Sequence, residues 1–193
     1  LDGKGRMEEP ESIVSTVNQF FLDRATLKNI NILISAGPTY ESIDPVRFIG
    51  NRSSGKMGFA LAKEAAKRGA NVSLISGPVD LDTPENVHRT NVSSATEMKK
   101  EIENKFDDID VLIMSAAVAD YQPVVSYKRK IKKSDDNMVI ELKKTPDILK
   151  DLAKKKKKQI VIGFALETES EIKNAYKKMK NKTMTPKEKR IAA

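Results

Sequence analysis

Short apolar runs alternate with longer helical runs along most of this chain, and this alternation restricts its fold more than any other feature. Strands are predicted at 31–35, 71–76, 87–92, 109–114, 138–142 and 159–163. Helices are predicted at 11–22, 59–68 and 170–180, and two more begin at Ser94 and Thr145. Strands that alternate with helices are joined by right-handed crossovers, which place helices on both faces of a parallel sheet. The predicted fold class is α/β, a Rossmann-like, doubly wound and mostly parallel sheet with helices on both faces.

Two of the predicted helices carry recognisable capping residues. Ser94 and Glu97 have the spacing of a capping box, in which the first residue caps the helix. Thr145 and Pro146 suit the N-cap and first helical positions of the next helix. The segment 144–147 is therefore explained equally well as an ordinary helix start or as a ligand site.

The connection 35–58 between the first strand and its helix is unusually long. Such connections take about 2–6 residues, whereas this one takes roughly twenty, and long ordered loops often bind ligands. It contains Gly37, Gly50, Gly55 and Gly58, and its hydrogen-bond donors to an anion are Arg47, Asn51, Ser53, Ser54 and Lys56. It also ends where helix N–H groups would face that anion. The pattern indicates a phosphate or nucleotide site, with a structural Gly- and Pro-rich turn as the alternative.

Two familiar nucleotide motifs fail in this chain. The run from Gly50 to Lys56 matches the P-loop up to its lysine, but Met57 stands where that motif needs a hydroxyl for Mg²⁺. The dinucleotide fingerprint G-x-G-x-x-G is missing, and no acidic residue ends the second strand at Ser76. The loop is therefore predicted to bind phosphate by another pattern.

Composition narrows the remaining classes. The net charge of +8 suits a nucleotide, a phosphorylated metabolite or a nucleic acid. Aromatic residues make up only 5% of the chain, which leaves little for stacking exposed bases. A single His and no Cys make a zinc site improbable and exclude a cysteine nucleophile. A chain without Cys, signal segment or long apolar run is expected in the cytoplasm, away from membranes.

Polar segments follow four of the predicted strands, at 35–58, 115–121, 143–147 and 163–168. Because ligands bind at the carboxyl ends of parallel strands, these segments should meet at one edge. Asp120 could hold a ribose hydroxyl or Mg²⁺ there, or it could simply cap a loop. The basic segment 122–136 is interpreted as a mobile flap whose lysines close over a triphosphate, with a solvated loop as the alternative.

Several motifs in order resemble the phosphopantothenoylcysteine synthetase (phosphopantothenate–cysteine ligase) family. They are AGPTYESIDPVRFIGNRSSGKMG, SAAVADY, KIKK, KTPDIL and GFALET, within residues 29–182. The resemblance implies that the carboxylate of 4′-phosphopantothenate attacks the α-phosphate of a nucleoside triphosphate, after which the amine of L-cysteine displaces the nucleotide. It implies Mg²⁺ with the triphosphate, and CTP rather than ATP as co-substrate.

The resemblance also implies roles for individual residues. Asn51, Ala116 and Ala117 would contact the acyl intermediate, and Asn51 and Lys130 would be catalytic. Asp120 would bind the nucleotide or its metal. The nucleotide site would comprise Ser53, Ser54, Gly55, Asp120, Lys130, Lys144, Thr145, Pro146, Asp147, Phe164, Lys178 and Lys182. Thr145 departs from the family's more common Asn.

The resemblance divides the chain into three parts. Residues 1–27 resemble the tail of a flavin-dependent decarboxylase fused ahead of the ligase, 28–182 form the ligase domain, and 183–193 are an atypical or truncated C-terminus. A homodimer is implied, in which the KIKK flap reaches the partner subunit's site. Three other interpretations stay open: a nucleotide- or phosphometabolite-binding module without turnover, a Rossmann-like oxidoreductase, and a nucleic-acid-binding protein.

Overall fold

A computed structural model describes residues 8–22, 25–133 and 137–164. The strands are β1 Asn31–Ala36, β2 Tyr40–Ser42, β3 Phe48–Gly50, β4 Asn71–Ser76, β5 Val87–Asn91, β6 Val111–Met114, β7 Tyr121–Pro123, β8 Leu142–Lys144 and β9 Ile160–Gly163. The α-helices are α1 Pro10–Leu22, α2 Lys56–Lys67, α3 Ala95–Lys105 and α4 Ile148–Lys155, and a 3₁₀ turn spans Phe106–Asp108.

Five parallel strands form the central sheet in the order β5-β4-β1-β6-β9. The chain leaves β1 toward β4 and β5 on one side, then returns to add β6 and β9 on the other. The strand order therefore reverses between β1 and β6, where doubly wound sheets bind ligands outside the carboxyl ends of their strands. The predicted α/β class and parallel sheet are confirmed.

Alternate residues of β1 point to two hydrophobic cores, one on each face of the sheet. Ile32 and Ile34 pack with Phe59, Ala62 and Ala65 of α2. On the opposite face Leu33 packs with buried side chains of α3 and α4, which are Met98, Ile102, Ile148 and Leu152. Small residues let α2 lie close to β1: a Cβ placed on Gly58 would come 2.5 Å from the Cβ of Ala36. The beginning of α2 is thereby held against the end of β1.

Ser94 is confirmed as the N-cap of α3, although Glu97 accepts from the amide of Ser93 rather than that of Ser94, and the predicted cap at Thr145 is wrong. Asp147 is the N-cap of α4, and its Oδ1 accepts from the amide of Lys150 at 3.1 Å. Thr145 lies between β8 and α4, and its hydroxyl donates to the carbonyl of Ala119 at 2.6 Å. A carboxylate accepts helix amides more strongly than a hydroxyl does, so the N-cap lies two residues later than predicted.

The predicted strand at 138–142 is also wrong. The strand in this region, β8, begins only at Leu142, and it pairs antiparallel with β7 in a separate two-stranded sheet. Val139 is 90% exposed, so its apolar neighbours have no core face against which a strand could pack. Strand prediction from apolar residues fails where the surrounding fold gives them nothing to cover.

The lysine run at 154–158 is engaged in ion pairs rather than forming a free basic patch. Its pairs with acids are Lys154–Asp151 at 3.4 Å, Lys155–Glu103 at 3.2 Å, Lys157–Asp107 at 3.2 Å and Lys158–Asp110 at 3.8 Å. Asp151 also binds Lys99 at 2.6 Å, and this contact lowers the pKa of Asp151 and raises that of Lys99. Lys155 and Asp151 join α4 to α3, whereas Lys157 and Lys158 join the following turn to the 3₁₀ turn and to Asp110 before β6.

Candidate functional site

A cavity of about 530 Å³ opens at the carboxyl end of β6, on the β9 side of the point where the strand order reverses. Its polar wall comes from the segment after β6 and from the start of α4. The predicted site residues in its lining are Ala116, Asp120, Lys144, Thr145, Pro146, Asp147 and Phe164. The structure thus brings together three segments that are separated in sequence.

Asp120 is exposed at the edge of this cavity, and no residue in the described ranges donates a hydrogen bond to its carboxylate. Its backbone, in contrast, is fixed: the amide of Thr145 donates to the carbonyl of Asp120 at 3.0 Å. The hydroxyl of Thr145 holds the preceding carbonyl of Ala119 in the same way. A carboxylate on a fixed backbone, with no protein donor, suits a ligand better than a loop cap.

Both backbone polar groups of Ala117 form hydrogen bonds within the fold. Its N–H donates to the carbonyl of Gly37 at 2.9 Å, and its carbonyl accepts from the amide of Thr39 at 3.3 Å. The hydroxyl of Thr39, a residue that sequence reasoning missed, accepts from the amide of Ala119 at 2.9 Å. Since a carbonyl has two lone pairs, Ala117 keeps one acceptor position for a ligand.

Asn51 lies next to the cavity because its side-chain amide donates to the carbonyl of Val118, a lining residue, at 2.9 Å. This hydrogen bond joins two segments 67 residues apart in sequence. The end of the long loop is therefore joined to the wall of the cavity. Asn51 itself remains exposed, so its carbonyl oxygen is accessible from solvent.

The loop then turns into α2 through Ser53, Ser54 and Gly55. Gly55 is the N-cap of α2 and has φ of 73°, a left-handed conformation that favours glycine. Its amide donates to the hydroxyl of Ser53 at 3.3 Å, while Ser54 is exposed. Because Gly55 has no side chain to cap the helix, the first-turn amides of α2 are open to an anion.

Lys130 is exposed and does not line the cavity. No described carboxylate forms an ion pair with it. The residue after it, Ile131, is held by Asp44 and Arg47 of the β2–β3 turn, through its amide at 3.1 Å and its carbonyl at 2.7 Å respectively. The basic flap is therefore anchored at this point in the structure.

Arg47 was predicted as an anion donor, and the structure gives it another partner. Its guanidinium binds the buried carboxylate of Asp44 at 2.6 Å and 3.0 Å. Burial alone would raise the pKa of Asp44, but hydrogen bonds from Arg47 and from the amides of Val46 and Ile131 outweigh it and hold the pKa well below its usual range. Sequence reasoning missed Asp44, although an Asp that accepts from amides two and three residues later is a known turn signal.

A second cavity of about 610 Å³ lies beside the ends of β4 and β5. Its cation, Arg89, is already used: it donates to the carbonyl of Leu81 and to the side chain of Asn91, each at 2.6 Å, and stacks over Phe59. This cavity therefore offers less to an anionic ligand than the one at β6.

Two further features bear on ligands. Among the described residues, no group of three or more His, Cys, Asp or Glu side chains could hold a metal ion. No helix in the described ranges has the length and apolar character needed to cross a membrane.

Two predicted nucleotide-binding residues, Lys178 and Lys182, lie outside the described residues, as do the predicted helix at 170–180 and most of the segment 163–168.

Comparison with known proteins gives consistent matches. Residues 27–185 match the model of the DNA/pantothenate metabolism flavoprotein C-terminal domain. The chain is 48% identical over 185 residues to the coenzyme A biosynthesis bifunctional protein CoaBC of Bacillus subtilis, covering 94% of the chain and 46% of that protein. It is likewise 48% identical to CoaBC of Haemophilus influenzae over 183 residues, with 94% and 46% covered.

A solved structure agrees with these relatives. The crystal structure of the C-terminal domain of CoaBC superposes with a TM-score of 0.74 at 46% identity, covering 83% of this chain and 76% of that one. The chain spans about half the length of the curated relatives it matches. The family match extends over the central sheet, the long loop and the cavity. Because of this match, the chain belongs to the family of the DNA/pantothenate metabolism flavoprotein C-terminal domain.

Proposed function

We propose that this chain is a phosphopantothenate–cysteine ligase that acts in coenzyme A biosynthesis. A carboxylate oxygen of 4′-phosphopantothenate attacks the α-phosphorus of CTP, the bond to the β-phosphate breaks, and pyrophosphate leaves. The amine of L-cysteine then attacks the acyl carbon of the resulting acyl-cytidylate. CMP leaves with the original carboxylate oxygen, the nitrogen loses a proton, and 4′-phosphopantothenoyl-L-cysteine forms.

The observation that carries this proposal is the junction between the long loop and the cavity. Asn51 binds the carbonyl of Val118, so a group bound by the loop and a nucleotide in the cavity would meet there. Adenylate- or cytidylate-forming chemistry needs the attacking carboxylate and the α-phosphate in one place, because positioning supplies much of the rate. The names of the CoaBC relatives, which are bifunctional proteins of coenzyme A biosynthesis, support the same assignment.

The residues divide between the two substrates in this proposal. Ser53, Ser54 and Gly55, with the first-turn amides of α2, hold the phosphate groups of the nucleotide, and Asn51 with Ala116 and Ala117 contacts the acyl intermediate. The nucleotide lies against the cavity wall, formed by Asp120, the segment 144–147 and Phe164. Lys178 and Lys182 complete the nucleotide site.

Mg²⁺ fits this site as a companion of the triphosphate. The described residues offer single carboxylates such as Asp120 rather than a metal cage. Mg²⁺ commonly keeps its waters and is bound by one or two carboxylates plus substrate phosphates, where it neutralises phosphate charge. Asp120 would hold it, or would hold the nucleotide directly.

We include a homodimer in the proposal, supported by a group of exposed apolar side chains on and beside β2, β3, β7 and β8. These side chains are Val46, Phe48, Tyr121, Val124, Val125, Tyr127 and Leu142, with exposures of 38–60%. Apolar surface of this kind commonly marks a protein interface. We expect sedimentation velocity at micromolar concentration to give a dimer, and a monomer throughout would exclude this part of the proposal.

The preceding domain and the cellular location also belong to the proposal. Apolar side chains of α1, such as Val14 and Phe21, are 58% and 65% exposed. A decarboxylase domain fused ahead of 28–182, as the relatives' length supports, would cover them. A cytoplasmic location agrees with the absence of Cys from the sequence.

Product analysis tests the proposal and the choice of nucleotide. The protein is incubated with Mg²⁺, 4′-phosphopantothenate and either CTP or ATP, with and without L-cysteine. With CTP we expect pyrophosphate in both arms, CMP and amide product only when cysteine is present, and slower turnover with ATP. Nucleotide binding with no products under any condition would favour a binding module without turnover, and equal or faster turnover with ATP would overturn the assignment to CTP.

A further inference from the structure

Asp44 carries a fully buried carboxylate in the turn between β2 and β3, with none of its side-chain surface exposed. Its Oδ1 accepts from the amides of Val46 and Arg47, both at 2.8 Å. Its Oδ2 accepts from the guanidinium of Arg47 at 2.6 Å and 3.0 Å. These four hydrogen bonds make the turn a rigid unit, because a buried carboxylate is stable only when donors surround it.

The same two side chains reach a distant segment. Oδ2 of Asp44 also accepts from the amide of Ile131 at 3.1 Å, across 87 residues of sequence. Nη2 of Arg47 donates to the carbonyl of Ile131 at 2.7 Å. Both backbone polar groups of one residue are thus bound by one ion pair. The backbone is held independently of the Ile131 side chain, so the contact fixes the path of the chain.

Ile131 lies between two exposed lysines, Lys130 and Lys132. The segment is tied down once more upstream, where the amide of Tyr127 donates to the carbonyl of Ile43 at 2.9 Å. All three attachment points are on the β2–β3 turn. The backbone beside Lys130 is therefore fixed, while the lysine side chain itself stays free to reach a ligand.

We propose that Asp44 and Arg47 are positioning residues that hold the Lys130 segment in the geometry required for ligation. The inference rests on the proposed function, in which Lys130 serves the chemistry. A donor contributes most to a transition state when its position is set in advance, since no reorganisation is then needed during the reaction. An ion pair that clamps the neighbouring peptide group supplies that restraint without touching the substrate.

The variant Asp44→Asn is suited to test the clamp. Its one remaining oxygen can satisfy the two turn amides, and its NH₂ group then faces the amide of Ile131, so that donor meets donor. Arg47→Lys is the milder second variant, because lysine keeps the charge but lacks the planar fork that binds both partners. Glu64→Gln is the matched control: it removes an arginine–carboxylate contact of 2.7 Å, to Arg68, on the exposed surface of α2.

Hydrogen exchange followed by mass spectrometry measures the clamp directly. In Asp44→Asn and Arg47→Lys we expect peptides spanning 128–133 to exchange about tenfold faster. The Ile131 amide loses its acceptor in the first variant, and the Ile131 carbonyl loses its donor in the second. Peptides from β1 and α2 should exchange as in the parent, and Glu64→Gln should change none of them. Unchanged exchange at 128–133 in both variants, or faster exchange throughout the protein, would overturn the proposal.

Kinetics then test whether the clamp acts through Lys130. A misplacement of about 1 Å can cost about 10²-fold in rate, and because Tyr127 still holds the segment we expect a smaller loss of about tenfold in Asp44→Asn. In a Lys130→Gln background the same substitution should cost less than about twofold, since residues acting as a unit are not additive. If Asp44→Asn reduces the rate by the same factor in the Lys130→Gln background as in the parent, the proposal is contradicted.

The proposed ligase function and the proposed clamp can be contradicted separately. If the parent protein makes no amide product, the proposed ligase function fails, yet the exchange comparison still decides whether Asp44 and Arg47 hold the segment. If the parent is active and 128–133 is unaffected in the variants, the clamp fails while the ligase function stands.

Discussion

Replacing Lys130 by Gln is expected to slow ligation by about 10²–10³-fold, which is the usual cost of losing one preorganised donor to a transition state. The lysine is exposed, has no described ion-pair partner, and follows a backbone path fixed at Ile131. Its charge is therefore available to stabilise phosphate charge during the reaction. The melting temperature should hardly change, because substitutions at exposed sites usually alter stability by about 0.5 kcal/mol or less.

The step that Lys130 serves can be identified in the same experiment. If it acts mainly on the second half-reaction, acyl-cytidylate should accumulate and appear by mass spectrometry of quenched mixtures. If neither intermediate nor product forms, Lys130 belongs to the first step. Lys128→Gln, an exposed lysine of the same segment outside the KIKK run, is the control and should retain the parent rate. Ligation at the parent rate in Lys130→Gln would show that the flap assignment is wrong.

Replacing Asp120 by Asn is expected to weaken binding of Mg²⁺–CTP by about tenfold to a hundredfold. Hydrogen bonds and contacts that involve a charged group contribute about 1.5–3 kcal/mol, which corresponds to this range. The carboxylate has no described protein donor, so its loss should leave the fold intact. Isothermal titration calorimetry with Mg²⁺ present measures the affinity, and thermal unfolding measures the fold.

Asp107→Asn is the matched control for Asp120. Asp107 is also an exposed carboxylate, but it lies before β6, at the amino end of the strand, and pairs with Lys157. Its substitution should leave CTP affinity unchanged. A collapse of thermal stability in Asp120→Asn, with unchanged affinity in the folded fraction, would identify Asp120 as a structural cap instead.

The sequence predicted the central sheet well because its strands carry a strong local signal. β1, β4 and β6 are short apolar runs bounded by polar turns, and strands buried on both faces read in this way. The common edge of the segments after β1, β6 and β9 followed, since parallel strands bring their carboxyl ends to one edge. Asp120 and the segment 144–147, about 25 residues apart, meet for a different reason: β7 and β8 pair antiparallel with Tyr121 opposite Lys144, and the amide of Thr145 donates to the carbonyl of Asp120.

Other features depend on contacts that no local pattern reveals. Thr145 has every property of an N-cap, yet its hydroxyl binds the carbonyl of Ala119, and Asp147 caps α4 instead. The hold of Asp44 and Arg47 on Ile131 joins residues more than 80 apart, through backbone atoms of the distant partner. Because any residue type presents the same backbone groups, the sequence at 131 carries no signal for this contact.

The resemblance supplied what local patterns could not, which is the division of roles among residues at the cavity. It named Asn51, and the structure joins that residue to Val118 of the cavity wall. It gave no role to Asp44, whose buried carboxylate is understandable only with the fold in view. Roles in the chemistry are thus predicted from motifs, whereas contacts that support the predicted site become visible only in the geometry.

Transfer of labelled oxygen tests the central claim, that the carboxylate of phosphopantothenate is activated as an acyl-nucleotide. The protein is incubated with 4′-phosphopantothenate labelled with ¹⁸O in its carboxylate, together with Mg²⁺, CTP and L-cysteine. The masses of the products are then measured by mass spectrometry. Attack on the α-phosphorus followed by aminolysis places one labelled oxygen in CMP, which is the result we predict. Label in inorganic phosphate, with CDP as the nucleotide product, or unlabelled CMP beside labelled substrate, would contradict the account.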